Sequence, residues 1–379
     1  MQNNFQNSIE VIQSEIFKRL GSWSTGSVNN KLFSIIRKIE DENKKLAEVI
    51  DKPQVGIKTG SNTSYIINKE QVPELIKNSV LLKEYLVGRE VKKYNPIDTA
   101  NSIVFPYEQL EDQALALIEN FDDHNEVLSF LEKNKDKLSN RAIIDKGIEK
   151  GTKKWYEYQQ IKLDFPFHNE YIVYPDISST VNFTIAKNVL IDMTCFGLPT
   201  NSKSILGILN SKLIEAYLNS VCVKARGGYL RLKSQYILNI PLPENYESQN
   251  LSNAVESILE IYSSFNNQTI NFKSFIISQN NISINKKLKN WHELTFAEFI
   301  KELNKAIYSD NRQRRKDGVE ELSKLTKKDE FEWMELFEEN KKKAVALQQQ
   351  ITQTEKEIDQ MVYELYDLTD EEIAIIEKS

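Results

Sequence analysis

The 379-residue chain is predicted to fold as an α+β protein, a mixed α/β domain flanked by N-terminal helices and a C-terminal helical bundle. Three observations predict this. Apolar β-rich runs alternate with helical patterns between residues 53 and 245. Apolar residues recur at helical spacing before residue 50. From residue 291 the helical period continues almost to the end. The expected divisions are a helical arm at 1–52, a mixed domain at 53–245, a helix and linker at 246–290, and a helical region at 291–379.

Each element follows from a local pattern. Ile9, Ile12, Ile16 and Leu20 share a helical face, the Gly/Ser/Thr/Asn run from Gly21 to Asn30 breaks it, and Leu32, Ile35, Ile36 and Ile39 resume it. Pro53 closes the arm. VGIKTGSNTSYII (55–67) reads as strand, Gly-containing turn, strand. Residues 73–88 carry a helical pattern, SIVFPY (102–107) reads as a short strand, and 111–150 is helical and charged. Between 160 and 196, YIVYP, VNFTI and VLIDM read as strands. One amphipathic helix is expected at 202–220 through Ile205, Ile208, Leu209, Leu213 and Leu218. GGYLRLKSQYILNIPLP (227–243) then turns, runs extended and stops at two prolines. A helix near 248–264 precedes a loose Asn/Ser/Lys-rich connection at 266–290. In the tail, Ala344, Leu347, Ile351, Thr354, Ile358, Met361, Leu365 and Leu368 step by threes and fours. They form a seam of coiled-coil type, short enough that a bundle contact is expected rather than a long coiled coil.

The net charge is −6, which at first argues against a polyanionic partner. The charge is unevenly placed. Residues 319–379 hold eight Lys/Arg against seventeen Asp/Glu, a local −9, leaving +3 for the rest. Residues 201–236 hold Lys203, Lys212, Lys224, Arg226, Arg231 and Lys233 against Glu215 alone. A local basic field suffices for nucleic-acid binding whatever the total. Two cysteines, Cys195 and Cys222, sit among apolar neighbours and read as core, with no disulfide framework and no metal cluster. The start, MQNNFQNSIE, is not a secretory signal. No apolar run approaches the roughly 18 residues of a membrane span. A cytoplasmic location and no membrane partner are expected.

The motifs of several chemistries are missing from this sequence. An amino-methyltransferase needs an Asp/Asn/Ser-Pro-Pro-aromatic turn to hold a flipped base, and the chain has no Pro-Pro pair. GIKTGSN is neither a P-loop nor a Rossmann loop. Glu74 with Glu90-Val91-Lys92 matches a metal-nuclease spacing only loosely, and His124, His168 and His292 are scattered. No catalytic residue and no metal ligand is assigned.

Several patterns in order resemble one family. VGIKTGSNTSYII (55–67) resembles the opening of the TaqI-type specificity domain, with its Gly-x-x-Thr-Gly-x-Asn turn. LLKEYLVGREVKKY (81–94), SIVFPY (102–107), KKWYEYQQ (153–160) and NEYIVYPDIS (169–178) are similar to its further signatures. LGILNSKLIEAYL (206–218) resembles its Leu-Gly-x-Leu-Asn-Ser helix, and GGYLRLKSQYILNIPLP its closing strand and Pro-x-Pro stop. WHELTFAEFIKELNK (291–305), EFEWMELFEENKKKA (330–344) and EIDQMVYELYDLTDEEIAIIE (357–377) resemble the C-terminal helical region of adenine-specific DNA methyltransferases of the fused type IIG restriction-modification kind. That family's catalytic half has no counterpart in these residues.

The resemblance implies a target-recognition domain at 53–245 and a docking region at 291–379. The implied function is sequence-specific recognition of double-stranded DNA in a restriction-modification or related phage-defence system. The chain itself is expected not to be an enzyme. An adenine methyltransferase or methyltransferase-nuclease subunit would catalyse, and S-adenosylmethionine would be needed only there. Two alternatives stay open: a protein-interaction module or decoy that binds a methyltransferase without DNA, and an excised fragment of a fused type IIG enzyme.

The candidate DNA contacts are the turn residues Lys58, Thr59 and Asn62, then Arg89, Lys153 and Lys154. They continue with the loop residues Ser179, Thr180 and Asn182, and the basic run Lys224, Arg226, Tyr229, Arg231 and Lys233. Lysine neutralises phosphate, arginine also suits guanine, and asparagine suits adenine. Each has a structural alternative as turn former, internal ion pair or solvated surface. Leu347, Ile351, Ile358, Met361 and Leu365 are the candidate partner-docking residues.

Overall fold

The computed structural model describes residues 30–110, 114–165 and 167–379. The expected helix through Ile9, Ile12, Ile16 and Leu20 lies outside the described residues. The described residues form two compact units, one of those up to 255 together with 358–379 and one of 256–357.

The first unit is α+β. Its labelled strands are β1 (Gln54–Val55), β2 (Ile66–Asn68), β3 (Leu82–Leu86), β4 (Asn101–Val104), β5 (Tyr171–Pro175), β6 (Thr184–Ala186), β7 (Val189–Ile191) and β8 (Cys195–Leu198). They make two four-stranded sheets, ordered β6-β5-β8-β1 and β7-β3-β4-β2. YIVYP is buried at every position, as befits the interior strand β5. Asp192 joins the sheets where the chain leaves β7 for β8. Its carboxylate accepts from Tyr85 Oη at 2.7 Å and from the Thr194 amide at 2.8 Å, and its own amide donates to Leu86 at 2.8 Å.

The helices of this unit are α1 (Asn30–Glu42), α2 (Asn125–Glu132), α3 (Lys135–Ser139), α4 (Ala142–Glu149), α5 (Lys203–Leu209) and α6 (Lys212–Val221). The long helices α7 (Gln249–Asn280) and α9 (Lys327–Leu365) each contribute to both units, α8 (Phe296–Asp317) lies in the second, and α10 (Asp370–Ile376) returns to the first. In the first unit Lys38 of α1 pairs with Glu372 at 3.0 Å. Asp359 caps α6 through the Lys212 amide at 2.9 Å, and burial holds its carboxyl above the usual range.

Several expectations need correction. The helical pattern at 73–88 yields a 3₁₀ turn at Glu74–Ile76 and then strand β3. Ladders on both edges, parallel to β7 and antiparallel to β4, override the local spacing. Residues 115–117 are a strand within the stretch expected to be helical. The single helix at 202–220 is two. Buried Asn210 makes paired hydrogen bonds with the Phe183 backbone, at 3.0 and 2.9 Å, and Ser211 starts α6 as its cap. Residues Ser234–Leu238 of the expected extended run form a helical turn. Residues 266–280 are helix rather than loose connection, because Phe272 and Ile276 bury their side chains on that stretch.

The second unit is helical. Trp291, Phe272, Phe299, Leu303, Trp333 and Phe337 form its core. Trp291 Nε1 donates to Thr269 at 3.2 Å, and Phe299 stacks on Phe337 at 4.7 Å. The WHELTF motif is therefore a core anchor and a capping box, in which Thr295 and Glu298 each satisfy the other's amide at the start of α8. No helix among the described residues is long and apolar enough to cross a membrane.

Candidate nucleic-acid interface

The first unit sorts the candidate residues into two clusters. The first is built on a hairpin at residues 223–231. Lys224 bridges Leu230, the Ala225 amide donates to Tyr229 at 2.7 Å, and Gly228 closes the tip on Ala225 at 3.1 Å. Gly227 and Gly228 have φ of +89° and +82°, a conformation that side chains resist, which is why the tip is a glycine pair. Leu230 and Leu232 point inward, at 1% and 0% exposure, so Arg231 and Lys233 point out.

Pairing then carries this hairpin onto the polar loop. Leu230–Arg231 runs antiparallel to Ile177–Ser178, and the Leu232 amide donates to Asp176 at 2.7 Å. Exposed Ser179 and Thr180 therefore lie beside exposed Lys224, Arg226, Tyr229, Arg231 and Lys233. Arg89 joins them from the Gly88–Glu90 turn. That turn packs so tightly on Pro175 and Thr194 that a Cβ on Gly88 would stand 2.8 Å from the Thr194 carbonyl oxygen. Arg231 pairs loosely with Asp176 at 3.7 Å. Lys224, Arg226, Lys233 and Arg89 have no side-chain partner among the described residues. Lys203 and Lys212, from the same basic stretch, instead pair with Glu170 and Glu377.

Asn182 does not belong to the exposed set. It is buried, its amide nitrogen donates to Ser178 Oγ and Thr180 Oγ1 at 3.0 Å each, and its oxygen accepts from the Lys93 amide at 3.0 Å. It shapes the loop and is not free to read adenine, which corrects the sequence expectation.

The second cluster holds Lys58, Asn62, Lys153 and Lys154 around a buried arginine. Arg141 donates to the carbonyls of Leu138, Thr59 and Trp155, and its guanidinium lies 5.5 Å from the Tyr65 ring. Lys58 pairs with Gln160 through its backbone in both directions at 2.9 Å, leaving its side chain exposed. Thr59 is 1% exposed, and its hydroxyl donates to Asn62 Oδ1 at 2.7 Å. It cannot touch DNA, a second correction, and Asn62 is partly occupied in holding it. Lys153 lays its stem over Gly147, where a Cβ would come within 2.1 Å of its Cγ, and its ammonium pairs with Glu157 at 2.6 Å. Lys154 is exposed.

The docking seam is also corrected in part. Ile351 and Ile358 are 6% and 1% exposed within this chain, and Leu347, Met361 and Leu365 are half-buried. Ile351 and Ile358 thus pack internally instead of standing open, while Leu347, Met361 and Leu365 keep part of their surface exposed. Glu90 of the nuclease-like spacing accepts from the Val87 and Ala100 amides, while Glu74 pairs with Lys77. Both cysteines are free and buried, and burial pushes the Cys222 thiol up to about 12.

Sequence reasoning missed Arg141 and Asp192. Both are charged residues buried in internal networks, and neither sits in a motif. For Arg141 the only signal was an arginine placed at the start of an amphipathic pattern.

Comparison with known proteins gives four findings. Residues 83–242 match the family model described as the TaqI-like C-terminal specificity domain. The resemblance read from the sequence thus holds over that segment, which includes the whole hairpin cluster. Residues 244–362 match a domain of unknown function (DUF8810). Among solved structures, the type IIG restriction endonuclease BpuSI is similar to this chain at 14% identity with a TM-score of 0.38, covering 60% of this chain and 28% of that one. No curated protein matches.

Proposed function

We propose that this chain recognises a sequence of double-stranded DNA within a restriction-modification or related phage-defence system. It would position an adenine methyltransferase or methyltransferase-nuclease subunit, which would use S-adenosylmethionine to modify, or would cut, the bound site. The observation that carries this reading is the hairpin cluster. Lys224, Arg226 and Lys233, without side-chain partners among the described residues, stand with Tyr229 beside the Ser179–Thr180 loop, inside the segment that matches a specificity family. Lysines on the hairpin can neutralise phosphate, and Arg226 at the tip suits the O6/N7 edge of guanine. Ser179 and Thr180 offer hydroxyls to either base edges or backbone.

Selection from a pool of random duplexes tests it. The full chain should enrich a defined word, and Arg226→Ala should relax the choice at one or two positions, by about 1–3 kcal/mol for each lost bidentate contact. A pool returned without enrichment overturns sequence recognition. Methylation or cleavage of DNA by the chain alone overturns the proposed division of labour.

A further inference from the structure

The second unit carries a charged surface that the reading above does not use. Helix α8 buries Phe299, Leu303, Ala306 and Ile307 along one face. Its opposite face carries Lys301, Lys305, Tyr308, Arg312 and Lys316, all exposed. Steps of four, three, four and four keep these residues in one stripe, about 22 Å long at 1.5 Å per residue. Lys301, Arg312 and Lys316 have no side-chain partner among the described residues. Tyr308 is 61% exposed in the middle of the stripe. Neighbouring arginines are used differently. Arg314 donates to the Glu320 carbonyl at 3.1 Å and Arg315 pairs with Glu321 at 3.6 Å, so both hold the turn that follows the helix. The short helix Lys286–Lys289 is tied to α8 by Asn285, which donates to Glu302 at 3.0 Å, and Lys286 and Lys287 on it are exposed.

We propose that this α8 stripe binds the phosphate backbone of duplex DNA, a second contact outside the specificity segment. Lys305 is offset by Glu302 at 2.6 Å, but like charges four residues apart on a helix repel, so Lys301, Arg312 and Lys316, without such a partner among the described residues, are unfavourably placed without a polyanion. The row lies in a stretch whose following helix is acidic, so net charge does not account for it. Arginine and lysine supply phosphate contacts, and the Tyr308 hydroxyl can donate to a phosphate oxygen between them. Contacts of this kind fix position and add affinity without reading sequence.

This inference rests on the chain being a DNA binder, and the test separates the two. The full chain with Lys301→Gln, Arg312→Gln and Lys316→Gln is titrated by fluorescence anisotropy on a duplex carrying the selected word, over a salt series. Lys324→Gln, Lys327→Gln and Lys328→Gln together control for net charge. The α8 variant should bind about tenfold or more weakly near about 100 mM salt, with the log–log salt slope shallower by about 0.9 per lost contact. Its preferred word and its melting curve should stay as in the unaltered chain, and the control should lose far less. If the unaltered chain binds and the α8 variant matches it in affinity and slope, this inference fails and the proposed function stands. If the unaltered chain binds no duplex at any salt, both fail. DNA binding left intact with loss of partner co-purification would give the stripe to an acidic protein surface and overturn the proposal.

Discussion

The turn at 58–62 and the hairpin at 223–231 both set glycine close to a cation, and they end in opposite states. In the turn, Thr59 is buried, Asn62 holds its hydroxyl, and Arg141 grips its carbonyl from below. In the hairpin, Lys224, Arg226 and Lys233 have no side-chain hydrogen-bond or ion-pair partner among the described residues, and Arg231 is linked only loosely to Asp176. Residue type does not distinguish scaffold from proposed reading surface here. The presence or absence of an internal partner does, because a buried polar group must be satisfied within the fold whereas an exposed one remains available to a ligand.

The sharpest way to break this contrast is at Arg141. Arg141→Met keeps the stem but strips donors from three carbonyls. It should cost about 3 kcal/mol or more in urea unfolding, since each abandoned buried acceptor costs about 1–3 kcal/mol. Arg141→Lys should recover only part, because an ammonium cannot fork to three acceptors. Unchanged stability in the methionine variant would mean that the turn holds itself.

Next in size is Asn182→Ala, expected to cost about 1–3 kcal/mol through the orphaned Lys93 amide and the loosened loop. A variant that kept full stability but lost DNA affinity would return Asn182 to the reading surface.

Cys222 sharpens the contrast from the interior side. Burial pushes its thiol up to about 12, so the native state keeps its proton where an unfolded thiol ionises, near about 8.5. The contribution to stability is full below that pH and declines as pH rises through the window from about 8.5 to about 12. Alkylation at about pH 8.5 should therefore be slow in the native chain and fast in urea, as read by mass spectrometry. Equal rates would show an open thiol.

The smallest effect is expected at Lys203 and Lys212. Both lie in the basic stretch yet pair with Glu170 and Glu377. Changing both to Gln should move DNA affinity by less than about 0.5 kcal/mol, as suits partly exposed ion pairs. A loss as large as that of the hairpin variants would mean that stretch charge, and not hairpin geometry, governs binding.

Much of the first unit was legible in the sequence. YIVYP announces a fully buried strand, and LRLK alternates buried leucines with exposed cations, because period two is imposed by the pleat. The paired glycines mark the hairpin tip for a backbone reason visible in one dimension. What stayed hidden depends on partners distant in the chain. Strand β3 looks helical until β4 and β7 flank it. Asn210 looks like a mid-helix residue until the Phe183 backbone needs it. Asn182 and Arg226 both suit base edges by type, and only burial parts them. The seam of Ile351 and Ile358 has the period of a docking helix whether its partner is another chain or its own.

The most direct measurement is fluorescence anisotropy of the full chain, and of its Arg226→Ala, Arg231→Ala variant, on duplex DNA at several salt concentrations. The account predicts that the unaltered chain binds with a steep inverse dependence on salt. The variant should keep stability within about 0.5 kcal/mol yet bind more weakly, with a slope shallower by about 0.9 for each lost phosphate contact. Equal affinity and equal slope for the two proteins, or no binding by either at low salt, would contradict the assignment of the hairpin as the DNA-reading surface.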